Sequence, residues 1–267
     1  MPSPTEEKPR GPSSSDQRAV EEVELALFLL DGSGSMCNPG EGATATYDGR
    51  KKAEHLLEIT KETLARMHGG TKRDAFRVAL ITFAEEAIAA EVEVRGTKVS
   101  YFTPEAAIGA LRPPCEITNG GKTSIVAALA KAREVLDTVA QDSGLPEKKP
   151  ATIFLLTDGR ETIRTAQEVR DELGKLRPHA LAPTIAVVSL GTDADDELLL
   201  DVASEPTERQ VRHLELAGVL GLISQEPRKL FLKGHSGGDM TKQQAEVIRN
   251  FLNVLSQTIA VKQGEKQ

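Results

Sequence analysis

Three short polar segments carry the chemistry of this sequence. One apolar run ends in Asp31-Gly32-Ser33-Gly34-Ser35-Met36, and another ends in Thr157-Asp158-Gly159. Between them, Asn119-Gly120-Gly121-Lys122-Thr123-Ser124 opens a helical pattern. Gly32 and Gly34 permit the tight turn that lets Asp31, Ser33 and Ser35 converge on one point. With the Thr123 hydroxyl and the Asp158 carboxylate they form an all-oxygen donor set. Hard oxygen donors without Cys or His select a hard cation, with Mg2+ the first expectation and Mn2+ or Ca2+ the alternatives. An octahedral ion takes about six ligands, so a place remains for water or an incoming acid. Two carboxylates facing one point repel unless a cation lies between them. Asp158→Ala is therefore expected to leave the metal-free protein as stable as before, or up to about 1 kcal/mol more so.

Other readings of these residues compete. Asp31 to Ser35 could be a plain turn, and Thr123 or Ser124 a helix N-cap. Gly120 to Ser124 resembles the end of a phosphate-binding loop, but that pattern needs Gly where Glu116 stands. It also needs a strand upstream, where the chain reads Arg112-Pro113-Pro114, so Lys122 is expected to be a solvated loop residue. Gly234-His235-Ser236-Gly237-Gly238 matches the nucleophile elbow of a hydrolase, with Ser236 as nucleophile. The general base of that fold follows the serine, and no histidine lies beyond His235. A hydrolase is thus the lesser alternative, and the expectation is a protein that is not an enzyme. Cys37 follows the first polar loop and Cys115 precedes Thr123 by eight residues, so a redox-sensitive pair is the alternative. Separate, reduced thiols are expected instead, because disulfides are uncommon in the cytosol. Glu41 and Asp48, in the long link 37–50, are expected to be a solvated charge and a helix-starting residue.

The elements that must position these residues are legible. Four short apolar runs, at 25–30, 76–83, 153–156 and 185–190, read as strands buried on both faces of a parallel sheet. Helical stripes separate them: Ala53, Leu56, Leu57, Thr60, Leu64 and Met67, then Ile125, Leu129, Ala132, Leu136 and Val139, then Ala166, Val169, Leu173 and Leu176. Residues 87–94 alternate instead, which predicts an antiparallel edge strand with Glu91 and Glu93 facing solvent. A short strand is expected around 211–214 and a helix over 216–223. A last stripe, Ile248, Phe251, Leu252, Leu255 and Ile259, is expected to pack on the domain rather than dock a second protein. The fold class is therefore α/β: a Rossmann-like, doubly wound, mostly parallel sheet with one antiparallel edge strand. Residues 1–22 read as a disordered leader, 23–224 as the domain and 225–267 as a helical C-terminal extension.

With 267 residues, 33 basic and 40 acidic side chains, the net charge is −7. That balance argues against a nucleic-acid partner. No apolar run approaches a membrane span, and the N-terminus has no apolar signal core. Together with the cysteine count, this leads to the expectation of a cytoplasmic protein away from membranes, of undetermined oligomeric state.

Asp31-Gly32-Ser33-Gly34-Ser35-Met36, Thr123 and Thr157-Asp158-Gly159 together resemble the metal-ion-dependent adhesion site (MIDAS) of von Willebrand factor type A (VWA) domains. The resemblance covers roughly residues 23–224. It implies that Ser33, Ser35 and Thr123 ligate the ion by their hydroxyls, and that Asp31 and Asp158 ligate it or act through water. A partner protein's Asp or Glu would complete the shell. By the same resemblance the chain is of the intracellular prokaryotic kind, working in a multi-protein complex with an AAA+ ATPase, or in a kinase–phosphatase, stress or conflict system. A scaffold that binds its partner without metal is the alternative.

Overall fold

The computed structural model describes residues 22–38, 50–94, 96–159, 161–190, 194–233 and 241–259. The chain runs β1 (Glu22–Asp31), α1 (Gly34–Cys37), α2 (Lys52–Gly69), β2 (Phe76–Phe83), β3 (Ala87–Ala89), β4 (Val92–Val94) and β5 (Thr97–Val99). It continues through α3 (Pro104–Ala110), α4 (Pro114–Thr118), α5 (Ile125–Gln141), β6 (Glu147–Lys148), β7 (Thr152–Thr157), α6 (Ala166–Leu176) and β8 (Thr184–Ser189). It closes with α7 (Asp196–Val202), α8 (Glu208–Leu216), β9 (Ile223–Gln225), β10 (Arg228–Lys233) and α9 (Lys242–Ile259). Residues 1–21 of the expected leader, Glu41, Asp48 and the Gly234–Gly238 motif with Ser236 lie outside the described residues, while Glu22, expected in the leader, opens β1.

The main sheet has the order β3-β2-β1-β7-β8-β10-β9, with β6 also paired to β1. β1, β2, β7, β8 and β10 are parallel, and the four apolar runs supply four of them. β3 and β9 pair antiparallel at the two ends of that order. The sheet is thus the mostly parallel α/β sheet expected, with an antiparallel strand at each edge. The alternating stretch 87–94 divides: β3 joins β2, while β4 and β5 form a separate hairpin. Glu91 and Glu93 are exposed.

Because strand side chains alternate, each central strand feeds two cores. Ala26, Phe28 and Leu30 face one layer with Leu56, Leu64, Phe251 and Leu255. Leu25, Leu27 and Leu29 face the other with Ile125, Leu129, Val169 and Leu173. Phe28 stacks on Phe154 with ring centroids 4.9 Å apart. Leu29 has no exposed surface, so Leu29→Ala is expected to cost about 3 kcal/mol through the cavity it leaves. Urea unfolding would show this.

Two local expectations fail. Residues 211–214 lie inside α8, not in a strand. Thr207 and Gln210 form a reciprocal capping box, with the Thr207 hydroxyl accepting from the Gln210 amide and the Gln210 side chain accepting from the Thr207 amide. That start signal outweighs the β-branched Val211. The helix expected over 216–223 is reduced to one 3-10 turn at Leu220–Leu222, between the end of α8 at Leu216 and the start of β9 at Ile223. Beyond residue 224, β10 lies in the main sheet beside β8. α9 buries Ile248, Phe251, Leu252 and Leu255 and carries Arg249, which is ion-paired to Glu62 of α2. These four residues of the stripe pack on the domain, as expected, while the side chain of Ile259 lies outside the described ones.

Candidate metal centre

The polar segments meet at the carboxyl ends of β1 and β7, which are adjacent strands. Asp31 is the last residue of β1, and Asp158 directly follows β7. Both are buried. The turn after β1 is held through its amides: the Ser33 amide donates to the Asp31 side-chain Oδ1 at 2.8 Å, and the Gly32 amide to the Phe83 carbonyl of β2 at 2.8 Å. Ser33 then caps α1 without a side-chain bond, which leaves its hydroxyl 3.3 Å from that of Ser35. The Ser35 hydroxyl donates to Asp158 Oδ1 at 2.7 Å, joining two segments 123 residues apart.

Thr123 arrives from the third segment. The Gly34 amide donates to the Gly121 carbonyl at 2.8 Å, tying that loop to the first. Thr162 clamps the Thr123 backbone from both sides: its hydroxyl accepts from the Thr123 amide at 2.9 Å, and its own amide donates to the Thr123 carbonyl at 3.0 Å. The α5 N-cap is Ser124, whose hydroxyl accepts from the Ala127 amide. Thr123 is therefore not the cap, and its hydroxyl lies against Gly159: a Cβ on that glycine would sit 2.9 Å from Thr123 Oγ1. All five predicted residues thus come together at one end of the sheet. Lys122 is exposed, and residues 114–118 upstream are helical, which removes the phosphate-loop reading.

Two partners were not read from the sequence. The Thr157 hydroxyl donates to Asp31 Oδ2. Its signal was period-2 alternation, which turns Thr157 away from the Phe154–Leu156 face. The second is Lys52, the first residue of α2. Its Nζ lies 2.6 Å from Asp158 Oδ2, and the pair is buried, at 8% and 1% side-chain exposure. This overturns the expectation that Asp158→Ala would relieve repulsion, because the carboxylate already faces a buried ammonium.

Burial, followed by the charge of Asp158, pushes the Asp31 carboxyl up to about 7 against the hydrogen bonds from Thr157 and Ser33. A carboxyl raised in the folded state favours folding most when protonated. That contribution is full below about pH 4, the ordinary carboxyl range, and is lost as pH rises through about 7. The metal-free protein is expected to gain stability as pH falls across this window, and Asp31→Asn to flatten the gain. Urea titrations at pH 5 and 8 in EDTA measure it.

The cysteines differ from expectation. Cys37 and Cys115 form a disulfide, with Cα atoms 5.5 Å apart and 78 residues between them in sequence. It fastens α1 to α4 beside the Asp31 turn. The backbones are close there: the Thr118 hydroxyl donates to the Gly32 carbonyl at 2.6 Å, and a Cβ on Gly32 would lie 2.9 Å from the Pro114 carbonyl. Separate thiols were expected on compartment grounds; the fold instead places the two residues within bonding range.

The residues brought to the ends of β1 and β7 offer two carboxylates and three hydroxyls, the oxygen chemistry that suits a hard cation. Among the described residues no three His, Cys, Asp or Glu side chains gather as a metal cluster, so any ion here depends on hydroxyl ligands. Among those residues, too, no helix is long and apolar enough to cross a membrane.

The model of the von Willebrand factor type A domain matches residues 27–225. No curated protein sequence matches significantly. Among solved structures, proximal thread matrix protein 1 from the mussel byssus is similar at TM-score 0.57 and 17% identity, over 88% of this chain and 49% of that one. A von Willebrand factor type A protein from Catenulispora acidiphila gives 0.53 and 17%, over 90% and 43%. The pilus adhesin SpaC from Lactobacillus rhamnosus GG gives 0.54 and 18%, over 91% and 31%. This chain thus spans half or less of each, and the likeness is one of fold. With the family model covering most of the sequence, the chain belongs to the von Willebrand factor type A domain family.

Proposed function

We propose that this chain is a metal-dependent protein-binding module. Domains of this family are commonly protein-interaction modules rather than enzymes. In this reading Ser33, Ser35 and Thr123 ligate a divalent cation, Mg2+ first and Mn2+ or Ca2+ as alternatives. Asp31 and Asp158 balance its charge, and an Asp or Glu of a partner protein completes the shell. The Ser35–Asp158 hydrogen bond carries the proposal, because it brings a candidate ligand of one loop onto the acidic residue of another. The ion would act as a Lewis acid toward the incoming carboxylate. The partner belongs to a multi-protein assembly. The Cys37–Cys115 disulfide is the state favoured in an oxidising setting rather than in the expected cytoplasm.

A metal-free scaffold is the second reading, and one observation favours it: Lys52 already supplies a cation to Asp158. Pull-down of interacting proteins in Mg2+ and in EDTA separates the two. The first reading expects capture lost in EDTA and in Ser33→Ala; capture unchanged in both would support the second. Gly159→Ala should weaken Mn2+ binding by roughly tenfold or more, because its methyl group displaces the Thr123 hydroxyl. Calorimetry measures that change.

A further inference from the structure

Among the described residues, Lys52 is a buried charge at the site that the ligand set does not use. It is buried at the start of α2, and its ammonium is directed at Asp158 Oδ2 while Ser35 holds Oδ1 of the same carboxylate. One carboxylate therefore links the ammonium to the hydroxyl ligands. We propose that Lys52 sets the anion demand of the loaded site: it holds Asp158 when no metal is present and leaves the site with excess positive charge once a divalent cation enters. The inference rests on the metal-binding reading above.

The reason lies in the formal charges. The Lys52 ammonium adds one positive charge to the empty site whatever the protonation of Asp31, and with both carboxylates ionised around a divalent cation the loaded site carries one net positive charge. Without the lysine charge the empty site would be one charge more negative, and the loaded site would be neutral. The lysine thus weakens capture of a bare cation and strengthens capture of a carboxylate by the loaded site. Metal and carboxylate then bind better together than apart, and this coupling is reciprocal. Burial sharpens the effect, because charges a few ångströms apart inside a protein interact several times more strongly than in water. A metal-loaded domain would accordingly discriminate for acidic ligands before any shape complementarity acts.

The test is Mn2+ titration of the full chain, followed calorimetrically, with Mn2+ alone and then with acetate as the carboxylate probe. Lys52→Gln keeps a donor toward Asp158, Lys52→Met keeps only the apolar stem, and Lys52→Arg keeps the charge. Both neutral variants should bind Mn2+ at least tenfold more tightly than the wild type, and Lys52→Arg should match it. Acetate should tighten Mn2+ binding in the wild type more than in either neutral variant. A merely structural ion pair would instead lower stability without raising metal affinity. If the wild type binds Mn2+ and both neutral variants bind it no more tightly, the role assigned to Lys52 is wrong. If none of the four proteins binds Mn2+, the metal reading itself falls, and this inference with it.

Discussion

Replacing Cys115 with alanine is expected to lower the unfolding free energy by about 4 kcal/mol, and reducing the wild type should have the same effect. The Cys37–Cys115 bond closes a loop of 78 residues in sequence separation. In the chain-entropy account, the cost of closing a loop that long falls on the unfolded state. The native side should change little. Cys37 is buried among apolar neighbours, where a free thiol packs as a small hydrophobe, and Cys115 is half-buried. Denaturant unfolding of wild type and variant, with and without dithiothreitol, gives the comparison. The wild type should converge on the variant when reduced, and the variant should ignore the reductant. Equal stability of oxidised wild type and variant would show that the bridge does not constrain the unfolded chain.

Asp158→Ala is expected to abolish metal-dependent partner binding and also to cost about 4 kcal/mol, the opposite of relief from repulsion. The reason is Lys52. Removing the carboxylate strands a buried ammonium, and desolvation of an unpaired charge outweighs the Coulombic relief felt by Asp31. The double variant Asp158→Ala/Lys52→Met should recover much of the stability while still lacking metal-dependent binding. Unfolding in EDTA beside a binding assay in Mg2+ separates these outcomes. A single variant as stable as wild type would mean that the pair contributes no net stability. Thr123→Ala, by contrast, should lose metal binding with little loss of stability, because the α5 cap belongs to Ser124.

What the sequence made visible followed from periodicity and local chemistry. Leu25 to Leu30 and Ile153 to Leu156 are unbroken apolar runs, as strands buried on both faces must be, and each is followed by the aspartate that its strand end presents. The five candidate ligands could be chosen because their types and order match one site. Features that depend on chain geometry stayed hidden. Lys52 is one of three consecutive basic residues, and only the start of α2 beside β7 separates it from Arg50 and Lys51. Thr162 clamps Thr123 across 39 residues, and the cysteine pairing crosses a longer span. Thr207 and Gln210 did carry a readable helix-start signal, and the β-branched Val211 obscured it.

The central claim is that hydroxyls from two loops hold a divalent cation, and Mn2+ titration of the wild type against Ser33→Ala/Ser35→Ala tests it most directly. Neither serine lies in the apolar core, so the double variant should fold, which near-ultraviolet circular dichroism can verify. The wild type should bind one equivalent of Mn2+, displaced by Mg2+, and the folded variant should show no measurable binding. Equal Mn2+ binding by both proteins, or none by the wild type even with a carboxylate ligand present, would contradict it.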